Sequence, residues 1–411
     1  MKNEPRVFLH ASELLTGEGV AKKRGRRVQE EDLGRIEDGA LVVSEGKSGR
    51  PGKVLWVGPT RELPKRYLKW KAKNLKNRQA LVPGLVDCHT HLVFAGDRSE
   101  EFALRCGGTT YEEIAKRGGG ILSTVRATRV ATEAELERLA TARVKEAFSF
   151  GVRTLEVKSG YGLDFETELK CLRVVKRLRK RFPEVEFQST FLGAHAFPND
   201  RPREEYFREL CEKMLPDVAR GRWAEACDVF VDQGYFTLQE AEELMVLAQE
   251  LGLKTKIHAD ELTETGSASL AARLGCLSAD HLLKISNAGI QALARSETVA
   301  VLLPGTAFYL KAAHAPARKL LDSGARVALS TDFNPGTCMT LNLPFIMSLS
   351  ALYLGMTRAE IFAGVTYNAA AALGFQDRLG TLTVGAEARY WAMPFVRFEE
   401  AYYRLAWGAA T

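Results

Sequence analysis

Short apolar runs alternate with long amphipathic stretches from residue 81 onward, and this alternation constrains the fold more than any other feature. The amphipathic stretches carry helix signals; residues 237–252, for example, begin with a threonine cap and end in glycine. The apolar runs predict eight strands, at residues 81–87, 154–158, 188–193, 226–231, 254–258, 276–280, 298–303 and 326–331. Eight strand–helix units are typical of a closed parallel barrel of about 250 residues. We therefore predict an α/β fold with a distorted (β/α)8 TIM barrel, and not an open doubly wound sheet, whose usual Gly-x-Gly-x-x-Gly turn the sequence lacks.

The two ends of the chain have a different pattern from the middle. Residues 40–59 and 380–398 contain short β runs that are split by glycine and proline. Neither end can build a core of its own, so we expect them to pack together as a small β-sandwich beside the barrel. The predicted domains are residues 1–80 with 376–411 for the small β-sandwich, and residues 81–375 for the metal-dependent barrel.

Five of the seven histidines lie at or just beyond the C-terminal ends of predicted strands, where barrel enzymes carry their active sites. His89 and His91 follow the first strand, and strand alternation places them on the same face. The other three histidines are His195 after the third strand, His258 after the fifth and His281 after the sixth. Asp332 follows the eighth strand at the same rim. A lone histidine is more often structural, and we interpret His10 and His314 in that way. Five histidines and a carboxylate at one rim instead predict a metal-dependent active site.

The ligand types indicate which metals suit such a site. Imidazole and carboxylate groups that leave a position for water suit Zn²⁺ or iron better than Mg²⁺ or Ca²⁺, and they do not choose between zinc and iron. Water at such a site has a pKa near ~7, which makes hydroxide available at neutral pH. Glu261 and His281 are expected near that water without binding the metal, and we expect them to move protons.

Lys158 and Arg98 each allow two interpretations. Lys158, at the end of the second strand, is either a carbamylated bridge between two metal ions or a buried cation with a charged partner. A single lysine without a second set of ligands favours one metal ion. Arg98, just beyond the histidine pair, is either a two-pronged clamp for a substrate carboxylate or a surface residue paired with Asp97.

Charge and composition argue against several other classes of protein. The 411-residue chain has a net charge of +6, and its basic run at residues 21–27 is followed by acidic residues, so we interpret that run as a solvated loop and not a nucleic-acid patch. No apolar run approaches the ~20 residues of a membrane span, and no signal-peptide pattern opens the sequence. The seven cysteines form no CxxC motif, and most lie in apolar stretches, as reduced core thiols do. We expect a cytoplasmic protein that binds neither nucleic acid nor a membrane.

The motifs around the rim residues resemble those of the amidohydrolase superfamily and, within it, the imidazolonepropionase family. The resemblance covers roughly residues 80–380. Its motifs are HTHLVFAGDR (89–98), GGGILSTVRATR (118–129), EVKSGYGL (156–163), FLGAHAFP (191–198), KIHADEL (256–262), SADHLL (278–283), VAVLLPGTAF (299–308) and STDFNPGT (330–337). Arg389 departs from the family pattern, which usually carries an aspartate at this position in the terminal β-structure.

The resemblance implies a reaction and a set of site residues. The implied reaction is metal-dependent hydrolysis of the cyclic amide C–N bond of 4-imidazolone-5-propanoate, giving N-formimidoyl-L-glutamate in histidine degradation. The implied cofactor is one Zn²⁺ or Fe³⁺ per chain, the substrate is a small anionic molecule, and the expected assembly is a homodimer. The implied metal ligands are His89, His91, His258 and Asp332. The implied catalytic residues are Glu261, His281 and Asp332, and the implied substrate contacts are Arg98, Tyr161, His195, Glu261, Asn334, Gly336 and Thr337.

Two other functions are compatible with parts of this pattern. Another amidohydrolase, such as an aromatic-base deaminase, would use the same metal ligands with an amino leaving group. Arg98 and Tyr161 distinguish the two enzymes, because an anionic substrate needs the arginine and a neutral base does not. A non-enzymatic barrel kept as an assembly scaffold would be expected to lose ligands, and here all four are present.

Overall fold

The computed structural model describes residues 6–109, 113 and 119–408, which form two β-sheets and the helices around them. Gly118, the first residue of the predicted glycine loop, lies outside the described residues. The strands are β1 Arg6–Leu15, β2 Arg35–Val43, β3 Val54–Pro59, β4 Lys71–Asn74, β5 Leu81–Pro83, β6 Leu85–Asp87, β7 Val152–Lys158, β8 Glu186–Ala194, β9 Ala226–Phe230, β10 Lys254–Ala259, β11 Ser278–His281, β12 Val299–Leu302, β13 Val327–Leu329 and β14 Tyr390–Ala392.

Helices follow most of the barrel strands. They are α1 Glu18–Lys22, α2 Ser99–Cys106, α3 Ile121–Val130, α4 Glu133–Ser149, α5 Phe165–Arg181, α6 Arg203–Glu209, α7 Leu215–Arg220, α8 Leu238–Glu250, α9 Ser267–Leu274, α10 Asn287–Arg295, α11 Pro304–Leu310, α12 Ala317–Asp322, α13 Leu343–Tyr353, α14 Arg358–Val365, α15 Tyr367–Ala371 and α16 Glu400–Tyr403. Short 3₁₀ turns lie at Glu30–Leu33, Thr60–Glu62 and Lys65–Tyr67, and a π turn at Leu210–Met214 joins α6 to α7. In the part of the chain that the structure describes, no helix combines the length and hydropathy that a membrane crossing requires.

The predicted helix signals act locally as expected. At the start of α8, the hydroxyl of Thr237 accepts a hydrogen bond from the backbone N–H of Glu240 at 3.2 Å, and the Glu240 carboxylate accepts one from Thr237 N at 2.7 Å. This reciprocal pair satisfies two backbone donors that the first helical turn leaves without partners. The buried positions Ala241, Leu244 and Met245 recur at helical spacing, so one face of α8 packs onto the barrel.

Strands β6 to β13 form one parallel sheet in which neighbours in sequence are neighbours in space. Beyond the strand ends, a parallel bridge between Thr90 and Phe333 joins the first strand to the last, and the backbone N–H of Asp332 donates to His89 O at 3.0 Å. The sheet is therefore a nearly closed barrel, and the predicted fold class is confirmed. The contacts that close it lie at the C-terminal rim, directly beside the predicted site.

The first predicted strand is divided between the two sheets, which corrects its boundaries. Leu81–Pro83 pairs with β1 and β14 in the other sheet, and only Leu85–Asp87 enters the barrel. Gly84 separates the two pieces. A Cβ atom at this position would lie 2.5 Å from Cγ of Arg153, so the close approach of β7 requires glycine.

The terminal segments share a six-stranded sheet in the order β14–β5–β1–β2–β3, with β4 paired to β1. Alternation along β1 and β2 separates its two faces. Val7 and Val42 pack with Tyr67 on one face, whereas Phe8 and Leu41 belong to a second cluster that includes residues 382 and 388. The two ends of the chain thus complete each other's core. The domain boundaries at residues 80/81 and 375/376 stay a prediction.

Two basic features that the sequence did not explain connect the terminal segments to the barrel. Arg389, where the family pattern has an aspartate, is buried, and its guanidinium forms an ion pair with Glu186 of β8 at 2.8 Å. In the basic run 21–27, Nη1 of Arg26 donates to the carbonyl oxygens of Ala294 (3.0 Å) and Gly324 (2.7 Å). The prediction of a solvated loop is therefore wrong for Arg26, because α10 and the turn after α12 offer it carbonyl acceptors.

Candidate active site

Five histidines and Asp332 meet at the C-terminal rim of the barrel, as their positions at strand ends predicted. The ring centroids of His89 and His258 are 4.5 Å apart, and those of His91 and His195 are 4.9 Å apart. His281, at the end of β11, lies 5.4 Å from His89 by the same measure. The rings of His89, His91, His258 and His281 are at most 3% exposed. His10 and His314 lie elsewhere: His10 pairs with Asp38, and His314 stacks on Tyr353.

The donor atoms of this cluster fit a metal ion. Nε2 of His89 lies 3.4 Å from Oδ1 of Asp332, and Nε2 of His91 lies 3.6 Å from the same oxygen. Two overlapping groups have donor atoms within 4.8 Å of one another: His89 with His91 and His258, and His89 with His281 and Asp332. Among the described residues, Nε2 of His89 and of His258 is buried without a hydrogen-bond partner. A buried imidazole nitrogen without a partner is costly, and a metal ion is the partner that such nitrogens commonly have.

Burial sets the protonation of these groups. Removal from water lowers the pKa of His89, His91 and His281 well below the usual histidine value, so their rings are neutral at pH 7. Neutral imidazole is the form that binds metal. Burial also raises the pKa of Asp332 to about 7, although the Thr306 hydroxyl, which donates to this carboxylate at 2.6 Å, acts in the opposite direction. A cation nearby would stabilise the ionised carboxylate that a metal ligand must be.

A layer of buried carboxylates orients the histidines from below. Nδ1 of His89 donates to Oδ2 of Asp280 at 2.6 Å, and Nδ1 of His258 lies 3.0 Å from Oδ2 of Asp228. The hydrogen bond to Asp280 keeps the proton of His89 on Nδ1 and turns its Nε2 toward the shared space, and the Asp228 carboxylate lies close to the corresponding nitrogen of His258. The strands determine this arrangement, because His258 and the aspartates lie on neighbouring parallel strands in register, with His258 opposite Asp280.

Lys158 is a paired cation inside this layer. Its ammonium group lies 2.6 Å from Asp228 and 2.9 Å from Glu156, and all three side chains are fully buried. Burial alone would lower the pKa of Lys158, but the carboxylates around it raise that pKa above its usual range. The ammonium form is therefore stabilised. Lys256 completes the layer at 2.9 Å from Glu156.

A cavity of about 410 Å³ opens above the histidine cluster. Arg98 lines it and pairs through Nε with Glu101 at 2.7 Å. The sequence-level alternative, a surface ion pair of Arg98 with Asp97, is wrong, because the Asp97 carboxylate accepts hydrogen bonds from Ser99 instead. The predicted residues that line the cavity are His91, Arg98, Tyr161, His195, His258, Glu261, His281, Asp332, Asn334, Gly336 and Thr337.

Comparisons with known proteins agree with this geometry. The amidohydrolase family model matches residues 80–393. The imidazolonepropionase of Bdellovibrio bacteriovorus is 43% identical over 386 residues, which are 93% of this chain and 89% of that protein. The imidazolonepropionase of Porphyromonas gingivalis is 44% identical over 91% of this chain and 87% of its own length. The chain belongs to the imidazolonepropionase family of amidohydrolases. The predicted class of enzyme, a hydrolase of the amidohydrolase type, is confirmed.

Solved structures show the same amidohydrolase fold at lower identity. A 5-methylcytosine deaminase from Klebsiella pneumoniae aligns with a TM-score of 0.70 at 16% identity, covering 97% of this chain and 94% of its own. An adenosine deaminase from Xanthomonas campestris, solved with bound zinc, aligns with a TM-score of 0.66 at 18% identity, covering 94% of this chain and 83% of its own. At these identities the likeness concerns the amidohydrolase fold.

The loop after β13 is built by Asn334. Its Oδ1 accepts hydrogen bonds from the backbone N–H groups of Gly336 and Thr337, both at 2.8 Å, and its Nδ2 donates to Asp332 O at 2.7 Å. One amide side chain therefore connects the candidate metal ligand Asp332 to the wall of the cavity. On the opposite wall, Nδ1 of His195 donates to Gly160 O at 2.9 Å.

The structure also places residues in the amidohydrolase site that sequence reasoning missed. Arg105 lines the cavity, and its position seven residues after Arg98 was a usable signal, because two helical turns return to one side of α2. The buried layer had a signal as well: charged residues at alternate positions of apolar strands, as at Glu156 and Lys158. The other cavity residues outside the prediction are Ile121, Phe230, Tyr235, Leu262 and Leu310.

Proposed function

We propose that the protein hydrolyses 4-imidazolone-5-propanoate to N-formimidoyl-L-glutamate in histidine degradation. The observation that carries the proposal is one cavity that joins a buried histidine–aspartate cluster to Arg98, whose charge suits a carboxylate. The imidazolonepropionases that match more than nine-tenths of the chain support the same substrate. A neutral aromatic base would leave Arg98 without an anionic ligand, which disfavours a deaminase.

We further propose that one metal ion, Zn²⁺ or Fe³⁺, is held by His89, His91, His258 and Asp332. A metal ion at these groups supplies Lewis-acid polarisation of a carbonyl and lowers the pKa of water toward ~7. The proposal of a single ion is supported by Lys158, because its ammonium group forms ion pairs with the buried carboxylates of Glu156 and Asp228 and its pKa is raised. A carbamylated bridging lysine would need a neutral amine.

The chain's own residues would bind the substrate and move its protons. Hydrolysis breaks the ring C–N bond beside the carbonyl: the water oxygen ends on the carbonyl carbon, and a proton ends on the departing nitrogen. Burial raises the pKa of Glu261 well above its usual range, so this carboxyl holds a proton at pH values where an exposed glutamate has lost it. Nε2 of the neutral His281 lies 3.4 Å from Glu261, so the two groups can exchange a proton.

Positioning would come from the wall of the cavity. Arg98, held by Glu101, would bind the propanoate group, which lies away from the bond that breaks. Tyr161 and His195 line the same cavity as the loop of Asn334, Gly336 and Thr337, and we propose all five as substrate contacts. Their placement on strand ends and a braced loop suits them to hold a small ring in one orientation.

The test is direct. Purified protein is incubated with 4-imidazolone-5-propanoate, N-formimidoyl-L-glutamate is quantified by mass spectrometry, and metal is measured on the same sample. We expect stoichiometric product and about one metal ion per chain. Absence of product from fully metallated protein would refute the proposed function, and ammonia release from an aromatic amino base would support a deaminase instead.

We also propose that the enzyme is a cytoplasmic homodimer that acts without nucleic acid. All seven cysteines are free thiols, and five of them are buried, which suits a reducing compartment. Large apolar side chains are exposed close together on α11 and α13, with Leu352 at 70% and Tyr353 at 55% exposed, beside Phe308. Light scattering gives the assembly: a mass near twice 45.4 kDa supports the dimer, and a monomer refutes it.

A further inference from the structure

A second arginine shares the cavity with Arg98. Arg105 lies in the last turn of α2, and its Nη2 donates to the carbonyl oxygen of Gly336 at 3.1 Å. Its guanidinium lies 5.2 Å from the ring centroid of Tyr309, which orients it from the side. Among the described residues no carboxylate forms an ion pair with Arg105. It is therefore a positioned cation beside the cavity.

Both arginines touch the same residue. A Cβ atom on Gly336 would lie 2.2 Å from Nη1 of Arg98, while the carbonyl of the same glycine accepts from Arg105. Nε of Arg98 is engaged by Glu101, so its terminal NH₂ groups are the ones that face Gly336. Glu101 pairs with Arg98, but in the part of the chain that the structure describes no carboxylate pairs with Arg105, so an anion between the two guanidinium groups would gain contacts to both.

The carboxylates of the cavity do not supply that anion. Glu261 lies against His281 at 3.4 Å, and Asp332 lies against His89 and His91. Charge is therefore divided in the cavity, with histidine and carboxylate groups at the proposed metal site and two guanidinium groups around Gly336.

We propose that Arg105 and Arg98 form one anion subsite, in which two guanidinium groups beside Gly336 bind the same ligand carboxylate. The identification of that carboxylate as the substrate's propanoate rests on the proposed function; the binding of an anion does not. Two arginines present several N–H donors to two carboxylate oxygens. The subsite therefore selects ligands with an anionic side chain over neutral ligands of the same shape.

The test uses a matched pair of ligands that do not react. The acid is 3-(imidazol-4-yl)propanoate, and the neutral partner is its primary amide; binding to metal-loaded protein is measured by calorimetry. Replacing Arg105→Gln should weaken binding of the acid by about tenfold to a hundredfold, the value of one charge-assisted hydrogen bond, and change binding of the amide by less than about twofold. Arg105→Lys should recover part of the acid's affinity, because lysine keeps the charge without the planar fork.

Glu100→Gln is the matched control, because Glu100 is exposed on the same helix and does not line the cavity. It should bind both ligands as the unchanged protein does. Equal weakening of acid and amide in Arg105→Gln would mean that Arg105 only holds α2 in place and would overturn the proposal, as would unchanged acid binding.

Combining Arg98→Gln with Arg105→Gln tests whether the two side chains share one carboxylate. The double variant should lose less affinity for the acid than the product of the two single losses, because each arginine holds the anion for the other. Losses that multiply would overturn the shared subsite. Failure of the proposed function is seen separately. If the protein binds the acid better than the amide through Arg105 but does not hydrolyse 4-imidazolone-5-propanoate, the anion subsite is supported and the proposed substrate is refuted.

Discussion

Gly336→Ala is expected to damage substrate binding while leaving the fold intact. The added Cβ would lie 2.2 Å from Nη1 and 2.9 Å from Cζ of Arg98, whereas ordinary contact begins at 3.4 Å. The guanidinium must therefore move by about 1.2 Å, from 2.2 to 3.4 Å. The atoms that must move are the end of a flexible side chain, so the backbone of the loop can stay in place.

The size of the effect follows from what Arg98 would lose. Its Nε is anchored to Glu101 at 2.7 Å, so a displaced guanidinium cannot keep both that ion pair and a two-pronged bond to the substrate. A charge-assisted hydrogen bond contributes about 1.5–3 kcal/mol, which corresponds to a loss of about tenfold to a hundredfold in kcat/KM. Most of it should appear in KM, because the propanoate contact is alike in the ground and transition states.

Steady-state kinetics on Gly336→Ala, with metal analysis and thermal unfolding of the same samples, checks this reasoning. Metal content should be unchanged, and the free energy of unfolding should fall by no more than about 1–3 kcal/mol, the cost of overpacking at a buried position. Gly408→Ala is the matched control, since nothing lies within 4 Å of a Cβ at that position. An unaltered KM in Gly336→Ala would refute the close approach of Arg98, and a loss of metal would mean that the loop holds Asp332 more than it shapes the substrate site.

Four further expectations concern the cluster and the cavity. His258→Ala should abolish activity and lower metal content, because one of four proposed ligands is gone; a fully metallated, active variant would contradict the assignment. Glu261→Gln should retain the ion and lose about 10²–10⁴-fold in turnover, measured with metal analysis in parallel, and loss of metal would make Glu261 a ligand. Arg98→Met should cost about tenfold to a hundredfold in kcat/KM with unchanged metal content, and Arg98→Lys should recover part of it; kinetics like those of the unchanged enzyme would remove the argument for an anionic substrate. Lys158→Met should lower the free energy of unfolding by about 3–5 kcal/mol in denaturant titrations, because buried carboxylates lose their cation; an unaffected midpoint would mean that these carboxylates are protonated.

Sequence periodicity was enough to predict the barrel, because strand and helix spacing are local consequences of burial on one face. The eight predicted strands match β6 to β13, and the boundary that failed, at 81–87, failed for a tertiary reason. Residues 81–83 pair with β1 and with β14, a strand more than 300 residues away. An apolar run in the sequence indicates a buried strand but does not indicate which of the two sheets that strand joins.

The sequence by itself determined that five histidines and Asp332 would meet, because strand ends of a parallel barrel converge on one rim whatever the loops do. Tertiary structure alone decided the partners of the charged groups: Arg98 with Glu101, Lys158 with buried carboxylates, and Arg105 at the wall of the cavity. These choices depend on distances of a few ångströms between segments far apart in the chain. Coulomb attraction and desolvation change steeply over such distances, and local patterns in the sequence do not show which distant segments approach so closely.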